Sequence, residues 1–299
     1  MICFIVNGVS GNGRGHRVWK HVERLLLEKQ VDYDVVFTEG PKHATHIARE
    51  LAQQKNVRAV IAIGGDGTVN EVANGLAGSE IPLGSIPAGS GNDFAKGLQI
   101  PKQIDQALER ALSGEKRKID IASINHEIFV IVAGIGFDAQ VAKATNQSRY
   151  KKWLNLFRLG SVSYVVGFFK ELFRFRPAEV RLVIDEREHT FKDVWLVAVA
   201  NTPYYGGGMM ICPQAKCDDG LLHACIVHGI SRWKLLTLFP RVFFGTHIYH
   251  RAVTIVTGQR FKITSSIPLT VHGDGEILGE TPGETPLELS IKQEGLYIV

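Results

Sequence analysis

The sequence predicts an α/β plus all-β protein, in which an N-terminal doubly wound α/β domain precedes a C-terminal antiparallel β-sandwich. Three observations predict this fold class. Apolar strand-like runs alternate with helical patterns at first, short β-rich runs dominate afterwards, and glycine-rich turns follow three of the early strands. Alternation of strands and helices is typical of a parallel sheet covered on both faces. Short runs separated by Gly, Asp and Pro are typical of antiparallel sheets.

The predicted first domain contains four strands and four amphipathic helices. The strands are the β-rich apolar runs Ile2–Asn7, Tyr33–Thr38, Ala59–Ile63 and Leu83–Ile86. The helices carry apolar residues at three- and four-residue spacing, over Val18–Lys29, Ala44–Gln54, Val69–Leu76 and Ile104–Leu112.

The predicted second domain is a series of short strands. They are Lys118–Ile124, Val180–Ile184, Val194–Ala200, Leu221–Val227, Phe261–Thr264 and Leu287–Ile291. We place the domain boundary at residue 120, so that the domains are 1–120 and 121–299, and leave open that the last strand returns to the first domain. No Pro- or Gly-rich linker marks this boundary, which predicts an intimate interface.

Length and composition indicate a folded, soluble protein. Of 299 residues, 45% are apolar and 21% charged, which is close to the globular average. No run approaches the roughly 20 apolar residues of a membrane helix, and the four cysteines form no C-x-x-C pair. We therefore expect a cytoplasmic location. The net charge of +4 permits attraction to phosphates or anionic membranes without requiring it, and we expect no nucleic-acid partner.

The most informative segment is the glycine-rich turn that follows the predicted strand Ala59–Ile63. It reads Gly64, Gly65, Asp66, Gly67, Thr68, Val69, Asn70 and Glu71. Glycines let the backbone approach a ligand closely, and the free N–H groups of the following helix attract phosphate oxygens. Thr68 and Glu71 also fit a capping box. A tight turn with a well-capped helix is therefore the alternative interpretation of this segment.

Two further turns of this kind follow other predicted strands. One spans Pro87–Phe94, with Ser90 as a predicted cap and Asp93 three positions later, and the other spans Asn7–Gly13. Because parallel strands end along one edge of their sheet, the three turns are expected to converge on one crevice. None matches the P-loop or the dinucleotide fingerprint. Their convergence favours a phosphate-rich ligand.

Four ordered motifs make the chain resemble the diacylglycerol kinase catalytic-domain family, specifically its soluble bacterial lipid kinases. The motifs are G-G-D-G-T-x-N-E at 64–71, P-A-G-S-G-N-D-F-A at 87–95, Y-Y-G-G-G from 204 through Pro213 with D-D-G-L at 218–221, and H-G-D-G-E at 272–276. Together they extend over nearly the whole chain. NAD kinases share the first motif but carry a T-P-T-G-S-type segment where this chain has N-T-P-Y-Y-G-G-G.

The resemblance implies a nucleotide cleft between a Rossmann-like domain and a β-sandwich, where ATP and a lipid hydroxyl meet. By motif position, Asp274 is the proton acceptor, and Glu276 is a second catalytic candidate that orients substrate or metal. ATP would contact Asn7, Ser10, Gly11, Thr38, Gly64 to Glu71, and Ser90. A structural Mg²⁺ site would use the Lys216 carbonyl, the Asp219 carboxylate and the Leu221 carbonyl. The family's first motif usually begins N-P, whereas Gly8 follows Asn7 here.

Several of these residues have an alternative, local interpretation. Asp274 in a Gly-Asp-Gly turn and Asp219 in an Asp-Asp-Gly turn both fit ordinary β-turns. Mg²⁺ accompanying ATP prefers few carboxylates and retained waters. Asp66, Asp93 and Asp120 are the candidates to hold it, and the sequence does not choose among them.

Residues 149–176 interleave seven basic residues with aromatic and leucine residues, and their one acid is Glu171. Such a segment suits the headgroup region of a membrane. Alternatively, the aromatic residues fill the core and the basic groups are solvated. We hypothesise that the segment docks the protein peripherally on a membrane.

The predicted function is an ATP- and Mg²⁺-dependent kinase for diacylglycerol or a related membrane lipid. The alternatives are a soluble-substrate kinase of the NAD kinase type and an inactive nucleotide-binding regulator. A homodimer is compatible with the family resemblance.

Overall fold

The computed structural model describes residues 1–147, 168–283 and 285–299. Most of the predicted docking segment, residues 149–167, lies outside these ranges. In the described part of the chain, no helix is both long and apolar enough to cross a bilayer.

The first domain alternates strands and helices as predicted. Its elements are β1 (Ile2–Val6), α1 (Ser10–Glu28), β2 (Tyr33–Phe37), α2 (His43–Leu51), β3 (Ala59–Gly64), α3 (Asp66–Leu76), β4 (Leu83–Pro87), α4 (Asp93–Gly97) and α5 (Ile104–Ser113). The strands pair in parallel in the order β2–β1–β3–β4. All four therefore end at the same edge, where the glycine turns begin.

The second domain is a β-sandwich. Its strands are β5 (Arg117–Ile124), β6 (Glu127–Phe129), β7 (Val132–Gly136), β8 (Ala178–Ile184), β9 (Arg187–Ala200), β10 (Tyr204–Tyr205), β11 (Met209–Met210), β12 (Leu222–His228), β13 (Val253–Gly258), β14 (Arg260–Ser265), β15 (Thr270–Gly273), β16 (Glu276–Glu280) and β17 (Leu287–Ile298). Its helices are α6 (Phe137–Gln147), α7 (168–174) and α8 (Arg232–Leu238), and 3-10 turns follow at Phe239–Phe244 and Thr246–Tyr249. The fold class predicted from the sequence is confirmed.

The strand β17 joins the two sheets. It runs antiparallel to β5 and β14, and at its end Ile298 pairs in parallel with Leu83 of β4. One hydrogen-bonded path thus runs from the first domain into the sandwich. The division at residue 120 stays a prediction, but the backbone pairing shows a close connection between the two parts.

A cluster of aromatic rings packs the sandwich against α6 and α7. Phe137 lies 5.2 to 5.7 Å from the rings of Phe168, Phe175 and Trp195 in edge-on contacts. All four side chains are buried, and such pairs add stability beyond the area they bury. The four cysteines are free and buried, as expected of small apolar residues rather than nucleophiles.

The helices of the second domain were missed by the sequence interpretation, which predicted strands only. α6 follows β7 directly through Gly136, whose positive φ of 103° lets the chain turn from strand to helix. This is a further glycine turn, of the same kind as the three in the first domain.

Candidate active site

The three predicted glycine turns lie in contact with one another. A Cβ atom placed on Gly65 would lie 3.1 Å from Cα of Gly89, and a Cβ on Gly11 would collide with the carbonyl oxygen of Ala88. The Gly64 carbonyl accepts the N–H groups of Ala88 and Gly89 at 2.8 and 3.1 Å. Glycine is therefore required for close backbone approach, and the main-chain amides of the three turns lie together at one sheet edge.

The amide of Asn7 connects the first two turns. Its Nδ2 donates to the Thr68 hydroxyl at 3.1 Å, and its Oδ1 accepts the Ser10 N–H at 3.2 Å. Thr38 lies at the same edge, since its N–H donates to the Val6 carbonyl at 2.9 Å. The predicted ATP residues Asn7, Ser10, Thr38 and Thr68 thus share one region, while their contacts with ATP stay predictions.

Both predicted caps are wrong. α3 begins at Asp66, so Thr68 lies inside the helix, and Glu71 accepts the N–H of Ala44 on α2 at 3.1 Å. Ser90 caps nothing, because α4 begins at Asp93 after Asn92 in a left-handed conformation. Spacing alone suggested the caps, whereas contacts between the turns and with α2 compete for the same side chains.

Two of the three candidate metal-binding acids meet at the glycine turns. A Cβ on Gly91 would lie 2.9 Å from one oxygen of Asp66 and 3.4 Å from one of Asp93. Asp66 accepts the Phe94 N–H at 3.0 Å, while Asp93 accepts from the Lys96 ammonium at 3.0 Å and the Gly207 N–H at 2.6 Å. The pKa of Asp66 is raised from 3.8 to about 6, because burial and the neighbouring Asp93 charge outweigh the backbone hydrogen bonds, which lower it.

The third acid is Asp120, and no contact among the described residues links it to Asp66 or Asp93. Its carboxylate is buried and accepts the N–H groups of Gly220 and Glu294, each at 2.8 Å. These two bonds fasten the turn containing Asp218 and Asp219 to the sandwich. Asp120 therefore stabilises the fold, and of the three candidates for the nucleotide's Mg²⁺ only Asp66 and Asp93 lie at the glycine turns in the described chain.

The predicted structural Mg²⁺ site lies beside this turn. Asp219 accepts the Leu221 N–H at 3.0 Å through Oδ1, and its Oδ2 lies 3.5 Å from Nε2 of the buried His223. One carboxylate and the carbonyls of Lys216 and Leu221 are hard oxygen donors that suit a hydrated Mg²⁺. Among the described residues, no group of three His, Cys, Asp or Glu side chains forms a metal-binding cluster. The site stays a prediction.

Asp274, the predicted proton acceptor, is held by three backbone amides. Its Oδ2 accepts the Val130 N–H at 2.8 Å, and its Oδ1 accepts the N–H groups of Ile131 and Val132 at 3.0 and 2.9 Å. A carboxylate has about four lone-pair sites, so one site on Oδ2 is left for a ligand. Asp274 has a positive φ of 48°, which Asp adopts more readily than most residues.

Burial and hydrogen bonding act in opposite directions on Asp274. The pKa of Asp274 is raised from 3.8 to about 6, because burial and, to a smaller extent, the nearby Asp66 charge outweigh the three amides, which lower it. A base with a pKa of about 6 is ionised at neutral pH but still accepts a proton readily. The carboxylate is therefore fixed in orientation and suited to proton transfer.

A buried pair, His272 and Asp138, supports the turn that carries Asp274. Nδ1 of His272 accepts the Gly275 N–H at 3.3 Å, which places the ring proton on Nε2, facing Oδ2 of Asp138 at 3.3 Å. Gly134 is required between them, because a Cβ there would collide with both side chains. Oδ1 of Asp138 is buried without a partner among the described residues.

Asp138 also lines a narrow apolar cavity of about 40 Å³. The other lining residues come from α6, α7, α8 and the sandwich strands, among them Phe137, Phe168, Leu196, Leu235, Leu238 and Phe239. The cavity thus connects, through Asp138 and His272, to the turn that carries Asp274.

Glu276 faces a different cavity, of about 260 Å³, together with Lys42, Asn70, Glu71 and Glu127. Burial raises the pKa of Glu276, and the charges of Glu71 and Glu127 add to this while Lys42 lowers it. The predicted pair Asp274 and Glu276 therefore share one turn, with Glu276 directed towards residues of the first domain.

A larger cavity of about 560 Å³ borders the second glycine turn. Ser90 lines it with three basic residues that the sequence interpretation missed: Arg14, Lys96 and Lys102. Each follows a glycine turn or its short helix within a few positions, and this spacing is a signal that the sequence does contain. Asp138, also missed, follows the glycine turn of β7 in the same way.

Comparison with known protein families assigns the two parts of the chain separately. Residues 1–124 match the diacylglycerol kinase catalytic domain, and residues 131–292 match the YegS C-terminal NAD kinase beta sandwich-like domain. The second match alone covers more than half of the chain.

Individual relatives agree over nearly the full length. The diacylglycerol kinase of Mycobacterium tuberculosis (strain ATCC 25618 / H37Rv) is 33% identical over 289 residues, covering 95% of this chain and 91% of that protein. The diacylglycerol kinase of Bacillus subtilis (strain 168) is 32% identical over 272 residues, covering 89% and 87%. A crystal structure of a diacylglycerol kinase from Bacillus anthracis str. Sterne has the same fold, with a TM-score of 0.72, 22% identity and coverage of 100% and 96%. As its four motifs predict, the chain belongs to the diacylglycerol kinase and YegS-like lipid kinase family.

Proposed function

We propose that this member of the lipid kinase family transfers the γ-phosphoryl group of ATP to the hydroxyl of diacylglycerol or a related membrane lipid. The observation that carries this proposal is the connection between Asp274 and the apolar cavity. Asp138 lines that cavity, and its partner His272 holds the Asp274 turn. A lipid bound with its tail in the cavity would present its hydroxyl near the base.

The glycine turns supply the donor half of the reaction. Phosphoryl transfer depends mainly on positioning and on neutralising charge, because its transition state is largely dissociative. The amides of the three touching turns would bind the phosphates, and Arg14 and Lys96 would add positive charge from the adjoining cavity. Bound Mg²⁺ would neutralise phosphate charge. Asp66 and Asp93 would hold it through water, because their oxygens already accept hydrogen bonds.

Asp274 would accept the proton of the attacking hydroxyl. The free lone pair on its Oδ2 is the one position left for a hydroxyl hydrogen bond, and the three amides prevent the carboxylate from turning away. Such an oriented acceptor lowers the entropic cost of the transfer.

The apolar cavity is narrow, so binding of an acyl chain requires its wall to move. One wall is formed by Leu235 and Leu238 of α8 and by Phe239 and Val242 of the following turn. Outward movement of this helix and turn would widen the cavity without disturbing the sheet. A soluble acceptor of the NAD type would gain nothing from this apolar lining.

The experiment that tests the proposal uses γ-labelled ATP, Mg²⁺ and mixed micelles that each contain one candidate lipid. We expect label in the organic phase with diacylglycerol or with one of the related lipids. Phosphorylation of NAD in the absence of lipid would instead favour the soluble-substrate alternative, and binding of ATP without any transfer would favour a regulator.

A further inference from the structure

The described chain concentrates its exposed aromatic side chains on one region of the second domain. Of the eleven large apolar side chains that are most exposed, six lie in α7, α8 and the 3-10 turns after α8. We call them the aromatic face: Phe169, Phe173, Trp233, Phe243, Phe244 and Tyr249. Their exposure rises from 45% at Phe243 to 86% at Tyr249. On a monomeric soluble protein, a large contiguous apolar area often marks a binding site.

Ring contacts show that the aromatic face joins two distant parts of the sequence. Phe173 on α7 lies 5.8 Å from Trp233 on α8. Buried Phe168 lies 5.7 Å from Phe169 and 4.4 Å from Phe239, which in turn lies 5.8 Å from Phe243. Phe169 and Phe243 are therefore anchored on the inner rings of Phe168 and Phe239.

The charges around the aromatic face have one sign. Residues 229–252 contain no Asp or Glu. Within 168–176 the one acid, Glu171, is buried and accepts from Nε2 of Gln140 at 2.6 Å. Six exposed basic residues lie in these segments without an ion-pair partner among the described residues: Lys170, Arg174, Arg176, Lys234, Arg241 and Arg251.

One further basic residue, Arg232, has a structural role. Its guanidinium donates to the carbonyls of Leu172 and Phe175, both at 3.1 Å, and so fastens α8 to α7. The two helices consequently present their exposed rings as one unit, whereas the six unpaired cations are available to a ligand.

The aromatic face lies outside the wall of the apolar cavity. On α8 and the turn after it, Leu235, Leu238 and Val242 point inward and line the cavity, while Trp233, Phe243 and Phe244 are exposed. The same short helix and turn therefore separate the cavity from the outside. Whatever covers the aromatic face would also lie beside the wall that must move to admit an acyl chain.

We propose that the aromatic face is the surface by which this protein docks on an anionic lipid bilayer, an inference that rests on the proposed lipid kinase function. Aromatic rings that insert at the acyl boundary and cations that face lipid phosphates are the two components of interfacial membrane binding. A membrane satisfies both at once. The docked orientation places the cavity wall against the bilayer that holds the substrate.

The test compares vesicle binding of the wild-type protein with that of two double variants. One, Phe244→Ser with Tyr249→Ser, removes the two most exposed rings, which do not line the cavity. The other, Lys234→Glu with Arg241→Glu, reverses two charges. We expect sedimentation with vesicles of 30% phosphatidylglycerol and 70% phosphatidylcholine to fall about 30-fold or more for the ring variant. The charge variant loses binding mainly at low salt.

Matched controls separate a specific surface from general stickiness or charge. Leu27→Ser removes another exposed apolar side chain, 66% exposed, from α1, and Lys55→Glu with Arg58→Glu changes the net charge by the same amount in the first domain. Both are expected to bind vesicles like the wild type. Vesicle binding by the ring variant at wild-type strength, or equal losses in the controls, would overturn the proposal.

Activity on short-chain diacylglycerol dispersed below its micelle concentration distinguishes docking from catalysis. The ring variant is expected to retain wild-type turnover there and to lose it on vesicles. No turnover of the wild type on any of the candidate lipids, in either form, would reject the proposed function, while vesicle binding would still be decided by sedimentation. A wild-type dimer that the ring variant converts to a monomer would assign the aromatic face to a second copy of the chain and overturn the membrane assignment.

Discussion

Replacement of Asp274 by Asn is the sharpest test of the candidate site, because it keeps the shape of the side chain and removes its charge. An Asn can place its oxygen at Oδ1 and keep the bonds from Ile131 and Val132, but its NH₂ group then faces the Val130 N–H. One buried donor without a partner costs about 1–3 kcal/mol.

This loss of stability is offset, because the substitution also removes a poorly solvated negative charge. The pKa of Asp274 is raised from 3.8 to about 6, so ionisation of the folded protein above pH 6 costs about 3 kcal/mol of stability. By linkage, the folded protein binds this proton more tightly than the unfolded chain. The contribution of the group to stability therefore falls as pH rises from about 3.8 to about 6 and is constant above that.

We therefore expect the Asn variant to be about as stable as the wild type at pH 7.5. At pH 5 the wild-type carboxyl is mostly protonated, so removal of its charge stabilises the folded protein less. Relative to the wild type, the free energy of unfolding of the variant should therefore be about 1.4 kcal/mol lower at pH 5 than at pH 7.5. Urea unfolding at the two pH values measures this difference.

The effect on turnover should be far larger than that on stability. A positioned general base contributes about 10²–10⁴-fold, and kcat should fall by this factor while ATP binding is retained. The wild-type rate should rise with pH through about 6, as Asp274 and Asp66 ionise, and the variant should lose the part of this limb that belongs to Asp274. A folded Asn variant with kcat within about tenfold of wild type and the same pH limb would falsify the assignment of Asp274 as proton acceptor.

Four further predictions concern the surroundings of this base. Asp66→Asn removes a negative charge that raises the pKa of Asp274, so the limb of the rate profile should move to lower pH, and an unmoved limb would show that the two carboxylates do not interact. Gly89→Ala should raise KM for ATP about tenfold or more, because its Cβ would collide with the backbone of Gly65. The control is Gly40→Ala, which should leave KM unchanged because a Cβ at Gly40 meets nothing within 4 Å. His272→Asn should lower kcat about tenfold with little change in KM for ATP, since it loosens the turn without touching phosphate; a change confined to KM would contradict a positioning role. Asp219→Ala should abolish any rise in Tm that Mg²⁺ produces in the wild type without nucleotide, and a rise of equal size in both proteins would place the metal elsewhere.

Much of the first domain could be predicted because its signals are local. Strand β3 and the turn after it, for example, are read directly from a buried apolar run followed by glycines. The contact among the turns follows from topology alone, since parallel strands end at one edge. The caps were predicted wrongly, because the Glu71 carboxylate could accept either the backbone N–H of Thr68, as in a capping box, or an N–H from another helix. In the structure it accepts the Ala44 N–H, which lies 27 positions away.

The second domain was less predictable, since its helices depend on contacts far apart in sequence. α8 has only seven residues, too few for a clear periodicity, and is fastened to α7 by Arg232. Asp120 likewise looked like a metal ligand, because sequence shows an acid but not the two amides from residues 220 and 294 that bind it. Long-range hydrogen bonds decide such roles.

The pairing of Ile298 with Leu83 has a consequence for biosynthesis. The start of β4, at Leu83, is covered by a segment that the ribosome makes more than two hundred residues later, so this end of the strand stays open through most of translation. Contacts this distant form slowly, and an uncovered strand edge is a site for pairing between chains. A nascent chain released early would therefore expose β4 to aggregation, and chaperone demand should be highest before residues 287–298 emerge.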